Sequence, residues 1–315
     1  MSEQVKGRVI RSDARVCHVD IEGEVRQCAL RGRLFEELDA GVKSPVAVGD
    51  WVLVGLEGDP PGIEEVLPRA NYLSRVASSH DPREQVLFSN VDQMFVVGSV
   101  KKPGFSSNRA DRILAACLWH DIKASLILNK VDLDKDDDAL AIRETYEKAG
   151  IEVLDTSATE QQGIEELRER LKSRVSVFYG ASGVGKSTLL NALQPGLGLK
   201  VGKISRYWAA GKHTTSFSQM HRLDSGGWVI DTPGIRVFRL HGLTKPHLRD
   251  LFPEFLPFQD RCRFPDCTHD HEPECGVFEA VERGKIAPTR FSSYIEMLDE
   301  VLPPPEEDVA VGEEE

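Results

Sequence analysis

The chain has 315 residues, of which 40% are hydrophobic and 29% are charged, a composition typical of a globular protein with two or three domains. Its formal net charge of −12 excludes a broadly basic nucleic-acid-binding protein, so contacts with RNA require local basic patches. Because there is no apolar run near the roughly 20 residues of a membrane span and no signal-peptide core at the polar start, we expect a cytoplasmic protein without membrane contact.

Residues 6–67 show short alternating apolar runs that are broken by turn residues. This spacing predicts a small β-barrel, and the sequence VGDWV at 48–52 resembles the turn into a strand of five-stranded OB-type barrels, whose open face binds oligonucleotides. Basic residues that would suit such a face are Arg8, Arg11, Arg15, Arg26, Arg31 and Arg33. Acidic residues are interleaved with them, so ordinary solvent-exposed strand positions are an equal alternative.

A different pattern begins at residue 69, where apolar strands alternate with helices. Such alternation predicts a parallel sheet that is covered by helices on both faces. Predicted strands cover 93–97, 124–129, 151–154 and 175–178, and predicted helices cover 108–120, 139–149 and 163–171. The chain therefore continues from the barrel into an α/β domain.

The stretch after residue 178 fits the phosphate-binding pattern G-x-x-x-x-G-K-[ST] and lies between a predicted strand and a predicted helix. Glycines let successive backbone N–H groups point at phosphate oxygens, and the helix N-terminus adds a partial positive charge. We expect Lys186 to reach the β- and γ-phosphates and the Ser187 hydroxyl to ligate Mg²⁺. The predicted P-loop consists of Gly180, Ala181, Ser182, Gly183, Val184, Gly185, Lys186, Ser187 and Thr188.

Two further motifs directly follow predicted strands, at the sheet edge where α/β proteins bind ligands. N-K-x-D at 129–132 resembles the guanine-specificity motif of GTPases, in which the Asp132 carboxylate would accept hydrogen bonds from the guanine N1–H and amine. Asn129 would support the loop, and the stem of Lys130 would cover the base. Ser157 and Ala158 resemble the companion loop of GTPases, where a backbone N–H meets the guanine carbonyl oxygen.

D-T-P-G at 231–234 follows another predicted strand, at 227–230. D-x-x-G resembles the GTPase motif in which the aspartate, here Asp231, holds Mg²⁺ through water and the Gly234 N–H senses the γ-phosphate. A simple Pro-Gly turn is the alternative for this tetrapeptide in isolation. The N-K-x-D motif and the P-loop in the same chain favour the GTPase interpretation.

Four residues near the C-terminus, Cys262, Cys267, His269 and Cys275, form the pattern C-x4-C-x-H-x5-C. Three thiolates and one imidazole are a donor set for a closed tetrahedral Zn²⁺ site, which leaves no open position and is therefore structural. His271 is the competing imidazole, and the spacing favours His269. The remaining cysteines, Cys17, Cys28 and Cys117, lie in apolar contexts and are predicted to be core residues.

The motif order differs from that of an ordinary GTPase, in which the P-loop comes first. Here N-K-x-D and T-S-A precede the P-loop and D-T-P-G follows it, which indicates a circular permutation. The chain therefore resembles the RsgA family, also called YjeQ, of circularly permuted, ribosome-associated GTPases. The resemblance implies a barrel, a GTPase domain and a zinc lobe, with GTP or GDP, Mg²⁺ and Zn²⁺ as cofactors. It also implies that the small ribosomal subunit and its rRNA are the partners, that the subunit stimulates hydrolysis, and that the protein acts in late subunit maturation.

Residues 200–222 contain basic and no acidic side chains, as in a mobile switch I that contacts RNA. The sequence GKHTT at 211–215 resembles the family's G-[RK]-H-T-T segment, in which a threonine completes the Mg²⁺ shell, and we favour Thr215 over Thr214. His213 is a candidate for orienting the attacking water, with a contact to RNA or backbone as an equal alternative. Ile235 replaces the catalytic glutamine of Ras-like enzymes, so we expect slow hydrolysis that needs a partner.

We predict an RNA-binding OB-fold barrel at 1–68, a circularly permuted GTPase domain at 69–243, a zinc-binding helical domain at 244–302 and an acidic disordered tail at 303–315. The predicted oligomeric state is a monomer.

Two other functions compete with the ribosome-assembly GTPase. One is a GTP-dependent switch for a protein partner, and the other is a P-loop kinase or ATPase, against which the N-K-x-D motif counts.

Overall fold

The computed structural model describes residues 4–13, 15–199, 218–232 and 238–301. The chain divides into two compact units, Met1–His241 and Gly242–Glu315. Several sequence predictions lie outside the described residues: most of switch I with His213, Thr214 and Thr215, the Gly234–Ile235 pair, and the acidic tail.

Five strands form a barrel at the start of the chain: β1 (Gln4–Ser12), β2 (Val16–Ile21), β3 (Glu24–Leu30), β4 (Trp51–Gly55) and β5 (Gly62–Val66), with the short helix α1 (Arg33–Glu36) after β3. β1 pairs antiparallel with β2 and β4, β2 with β3, and β5 closes the ring by pairing with β3 and β4. Since successive strand residues face opposite sides, alternate side chains such as Val9, Cys17 and Val52 fill the interior. The prediction of an N-terminal β-barrel is confirmed.

The arginines of the barrel mostly have partners within the protein. Arg8 is only 8% exposed, and its Nη2 donates to the carbonyl of Asn90 at 2.6 Å. Four others form ion pairs with acidic neighbours: Arg11 with Asp13, Arg26 with Glu24, Arg31 with Glu64, and Arg33 with Glu37. If this barrel binds RNA, its arginines must therefore give up ion pairs with neighbouring acidic residues in order to contact phosphates.

A two-stranded hairpin, β6 (Tyr72–Ser78) and β7 (Asp81–Ser89), lies between the barrel and the α/β region. This hairpin is not predictable from the local sequence, because its residues mix polar and apolar side chains without strict alternation. The hairpin is held by long-range packing, since Leu73 and Phe88 are fully buried in a core shared with the following domain.

A central sheet follows, with five parallel strands and one antiparallel edge strand. The strands are β8 (Gln93–Ser99), β9 (Ala124–Asn129), β10 (Val153–Thr156), β11 (Val175–Tyr179), β12 (Gln219–Arg222) and β13 (Trp228–Asp231). Their spatial order is β10-β9-β8-β11-β13-β12, in which β11 lies between β8 and β13 near the centre of the sheet. The predicted α/β domain with a parallel sheet is confirmed.

Helices cover both faces of this sheet: α2 (Ser107–Trp119), α3 (Asp138–Lys148), α4 (Ile164–Leu171) and α5 (Lys186–Leu193). Alternate residues of β8 separate the two cores, because Met94 packs with α2 and α3 whereas Phe95 packs with α4 and α5. This double coverage explains why the strands read as continuous apolar runs in the sequence.

The barrel and the central sheet are joined by backbone and side-chain contacts. β1 pairs with β12 at Arg11 and Gln219, so the sheet continues into the barrel. The Asp50 carboxylate, which is 0% exposed, accepts hydrogen bonds from Arg69 Nε at 2.7 Å and Ser89 Oγ at 2.5 Å. At Gly49 the backbone φ is +96°, and a Cβ would lie 2.1 Å from the carbonyl oxygen of Ser89. Only glycine therefore allows this close approach.

The second unit contains α6 (Lys245–Asp250), α7 (Leu256–Gln259), α8 (Gly276–Glu282) and α9 (Pro288–Glu300). The sequence of residues 278–302 predicts a helical stretch, and the structure divides it into α8 and α9, because the chain turns at Gly284 with φ +67° and α9 begins with Pro288 in its first turn. Phe252, Phe255 and Tyr294 form the aromatic core of the second unit. Among the described helices of either unit, none is long and apolar enough to cross a membrane.

Candidate nucleotide site and metal centre

The P-loop connects the buried strand β11 to helix α5, and its glycines are required by the space around it. Gly183 and Gly185 have φ values of +87° and +99°. A Cβ on Gly180 would lie 2.3 Å from the carbonyl oxygen of Val97, and one on Gly185 would lie 2.4 Å from Asn129 Nδ2. The N-cap of α5 is Gly185, which offers no side-chain acceptor to the first N–H groups of the helix. These N–H groups can serve an anionic ligand.

Lys186 and Asp231 place opposite charges beneath the P-loop. Lys186 is 9% exposed, and its Nζ donates to the carbonyl of Gly180 at 2.6 Å. Burial lowers the pKa of Lys186, an effect that the negative charge of Asp231 opposes. Burial raises the pKa of Asp231, and Oδ1 of this carboxylate is buried without a hydrogen-bond partner among the described residues. A hydrated cation would supply that missing partner, so the residues present fit Mg²⁺.

The guanine-specificity motif is tied to the P-loop through two of its side chains. Asn129 Nδ2 donates to the carbonyl of Val184 at 2.9 Å, and Asn129 Oδ1 accepts from Thr156 Oγ1 at 3.1 Å. Lys130 has a left-handed backbone with φ +64°, and its Nζ donates to the carbonyl of Gly183 at 2.6 Å. Asp132 is exposed in the following 3-10 turn. Its carboxylate is therefore the group of this motif that faces solvent and can meet a base.

The companion loop is closed by backbone hydrogen bonds. Ser157 is 0% exposed and exchanges two backbone hydrogen bonds with Gln162, each 3.0 Å long. Ala158 is half-buried next to it. Sequence reasoning missed Thr156 as a support for Asn129, although a hydroxyl at the end of a neighbouring parallel strand was the available signal.

The sheet order brings these motifs together at one edge. Asn129, Thr156, Tyr179 and Asp231 end four parallel strands, and the carboxyl ends of parallel strands point the same way. The described members of the predicted nucleotide site all follow or end these strands: Asn129, Lys130, Asp132, Ser157, Ala158, residues 180–188 and Asp231. Gly234, His213 and Thr215 lie outside the described residues.

A cluster of three cysteines and one histidine lies in the second unit. The ligand atoms of Cys262, Cys267, His269 and Cys275 are all within 4.8 Å of one another. His269 Nδ1 lies 3.6 Å from Cys262 Sγ and 3.4 Å from Cys275 Sγ. Donor atoms about 2.1–2.3 Å from a tetrahedral zinc ion are roughly 3.4–3.8 Å apart, so this cluster is compatible with Zn²⁺.

Polar contacts shape the loop that carries this histidine. The Glu272 carboxylate accepts hydrogen bonds from the backbone N–H and the hydroxyl of Thr268, at 2.6 and 2.7 Å. Tyr294 Oη donates to the carbonyl of Thr268 at 2.5 Å. His269 itself is 1% exposed, whereas the His271 side chain is 80% exposed and pairs with Asp270. His271 therefore lies outside the cluster.

The fold and the site define a circularly permuted P-loop GTPase, because the strand that feeds the P-loop follows the strands that carry N-K-x-D and T-S-A. The family model described as RsgA GTPase matches residues 66–241. The chain belongs to the RsgA GTPase family, and it is therefore an enzyme that hydrolyses GTP to GDP and phosphate.

Relatives and solved structures agree with this assignment over nearly the whole chain. The small ribosomal subunit biogenesis GTPase RsgA of Moorella thermoacetica is 38% identical over 299 residues, which cover 95% of this chain and 98% of that protein. The corresponding RsgA 2 of Bacteroides thetaiotaomicron is 36% identical over 303 residues, or 94% of this chain and 97% of that protein.

Among solved structures, YjeQ from Thermotoga maritima has a TM-score of 0.73 and 36% identity, and the match covers 96% of this chain and all 100% of that chain. YloQ, a circularly permuted GTPase, has a TM-score of 0.68 and 30% identity, with 96% and 97% covered. The predicted fold class and the resemblance to the RsgA family are both confirmed.

Proposed function

We propose that this GTPase acts in late maturation of the small ribosomal subunit and that the subunit stimulates its GTP hydrolysis. The observation that carries the proposal is the convergence of the P-loop, N-K-x-D, T-S-A and Asp231 at one sheet edge in permuted order. Support for the ribosomal role comes from the relatives, which are named small ribosomal subunit biogenesis GTPases. The proposed partners are the subunit and its rRNA, the proposed state is a monomer, and the proposed location is the cytoplasm.

In the proposed mechanism the chain binds guanine through Asp132, whose carboxylate accepts from the guanine N1–H and amine. Asn129 and Lys130 hold that loop against the P-loop by their contacts with the carbonyls of Val184 and Gly183. Lys186 leaves the carbonyl of Gly180 and reaches the β- and γ-phosphates, and the first N–H groups of α5 bind phosphate oxygens.

Mg²⁺, when bound, neutralises charge on the phosphate oxygens, and Ser187 and Asp231 would hold it, Asp231 through water. Thr215, Gly234 and His213 keep their predicted roles as Mg²⁺ ligand, γ-phosphate contact and water-orienting group. Ile235 cannot orient water by hydrogen bonding, because its side chain is apolar. We therefore expect slow intrinsic hydrolysis that a partner must stimulate.

We also propose that one structural zinc ion is held by Cys262, Cys267, His269 and Cys275. The donor set leaves no position for water, so the ion would stabilise the second unit and take no part in hydrolysis. The proposed domain boundaries remain 1–68, 69–243, 244–302 and 303–315.

The ribosomal role is tested by measuring the GTP hydrolysis rate of the purified chain with and without small ribosomal subunits. We expect the subunits to raise the rate at least about tenfold, because a partner that completes a GTPase site contributes large factors. Large subunits at the same concentration are the control. An unchanged rate with small subunits would contradict the role and favour a switch for a protein partner, detected as nucleotide-dependent capture of protein after nuclease treatment.

Guanine recognition is tested by Asp132→Ala. We expect the affinity for GTP to fall about a hundredfold while the affinity for ATP stays unchanged, because only guanine offers the two donors that this carboxylate accepts. Asp132→Asn is the matched variant, since its amide replaces an acceptor by a donor and should allow binding of xanthosine triphosphate. Equal binding of GTP and ATP by the unaltered chain would instead support a kinase or an ATPase.

A further inference from the structure

The loop between β8 and α2, residues 100–106, is hydrogen-bonded to the guanine-specificity motif through its backbone N–H and C=O groups. The N–H of Val100 donates to the carbonyl of Asn129 at 3.1 Å. Lys130 Nζ donates to the carbonyl of Lys102 at 2.5 Å, in addition to its bond with Gly183. One side chain of the specificity motif therefore bridges the P-loop and the 100–106 loop.

Lys101 links the same loop to the segment that follows Asp132. Its Nζ lies 2.5 Å from Asp138 Oδ2 and 2.9 Å from Asp136 Oδ2. These carboxylates belong to a fixed turn, because the Asp134 side chain accepts from the N–H groups of Asp138 at 3.2 Å and Ala139 at 2.9 Å, at the start of α3. Lys101 therefore links the 100–106 loop to the segment that follows the specificity motif.

Packing anchors the two ends of the 100–106 loop, because Val100 is buried in the core and the Phe105 ring lies 5.6 Å from that of Tyr146. A cavity of about 350 Å³ lies between this loop and the P-loop, with Pro103 and Phe105 on one side and Ala181 and Ser182 on the other. Between these packed ends, Pro103 and Gly104 border the cavity, so polar links add there to what packing supplies. The paired ammonium of Lys101 supplies a charged link from this stretch to Asp136 and Asp138.

We propose that Lys101 is a positioning residue for guanine recognition, which holds the 100–106 loop and the Asp132 turn in one arrangement so that the Lys102 carbonyl fixes Lys130 and Asp132 faces the base. This inference rests on the proposed guanine site. Lys101 acts through the loop and does not touch the nucleotide. It contributes mainly to guanine affinity, because the contacts of Lys186 with the P-loop carbonyls do not involve it.

The test is Lys101→Met, which keeps the aliphatic stem and removes the charge. We expect GDP to dissociate about five times faster, with ATP affinity and melting temperature unchanged, so that the preference for guanine nucleotides falls by the same factor. Added salt should speed GDP release from the unaltered chain toward the variant's rate and change the variant less, because exposed ion pairs are screened. Lys101→Arg should restore slow release.

Lys135→Met is the matched control, because Lys135 lies in the same acidic segment and makes no ion pair with any residue that the structure describes. It should leave GDP release unchanged. Asp136→Asn with Asp138→Asn should reproduce the Lys101→Met effect, and combining all three changes should add nothing further. A Lys101→Met rate equal to that of the unaltered chain, or a rate matched by Lys135→Met, would overturn the inference. If the unaltered chain showed no preference for GTP over ATP, this result would instead count against the proposed function itself.

Discussion

Lys186→Ala is expected to reduce GTP hydrolysis by about a hundredfold or more, because the ammonium is the P-loop side chain that can neutralise charge developing on the β- and γ-phosphates. Its burial and its bond to the carbonyl of Gly180 show that it is already held beneath the loop before any phosphate arrives. The measurement is single-turnover hydrolysis at saturating GTP, with and without small subunits.

The control for this substitution is Lys172→Ala, which removes an exposed lysine that pairs with Glu169 at the end of α4. Circular dichroism should show that both variants keep the fold. A Lys186→Ala rate within threefold of the unaltered chain would contradict the assignment of residues 180–188 as the catalytic P-loop.

Removing zinc is expected to unfold the unit Gly242–Glu315, since the binding free energy of a structural zinc ion is about 10 kcal/mol or more and is coupled to folding. Three of the four ligands are buried, and Cys275 Sγ also accepts the N–H of Phe278 at the start of α8. Incubation with a strong chelator should remove helical circular dichroism signal and make α8 and α9 susceptible to protease.

Matched histidine variants separate zinc loss from general damage. His269→Ala should release zinc and destabilise the unit, whereas His271→Ala should do neither, because its side chain is exposed and outside the cluster. Metal content is measured by elemental analysis. Equal zinc content in both variants, or a chelated protein that keeps its helices, would contradict a structural zinc site.

Local sequence patterns were sufficient to predict the elements that bury continuous apolar strands. The strand before the P-loop, predicted at 175–178, is β11 at Val175–Tyr179, and the helix predicted at 108–120 is α2 at Ser107–Trp119. These elements are predictable because their periodicity and their flanking turn residues are contained within about ten residues.

The features that sequence reasoning missed depend on contacts between distant residues. The β6–β7 hairpin is stabilised by a core shared with the α/β domain, and Asp50 gains its buried role only when Arg69 and Ser89 surround it. At the nucleotide site, the hydrogen bond between the Lys102 carbonyl and Lys130 joins residues that are 28 positions apart, and no local motif predicts it. The division of the helical stretch 278–302 into α8 and α9 has a local cause, the turn at Gly284 and Pro288 at the start of α9.

The pairing of β1 with β12 has a consequence for truncated forms of the protein. β12 is the outermost strand of the central sheet, and the barrel covers its free side at Arg11 and Gln219. A chain shortened to the GTPase region alone would expose that row of unpaired N–H and C=O groups, which is a template for association with other strands. We therefore expect isolated GTPase fragments to self-associate unless β12 is blocked by charge or proline.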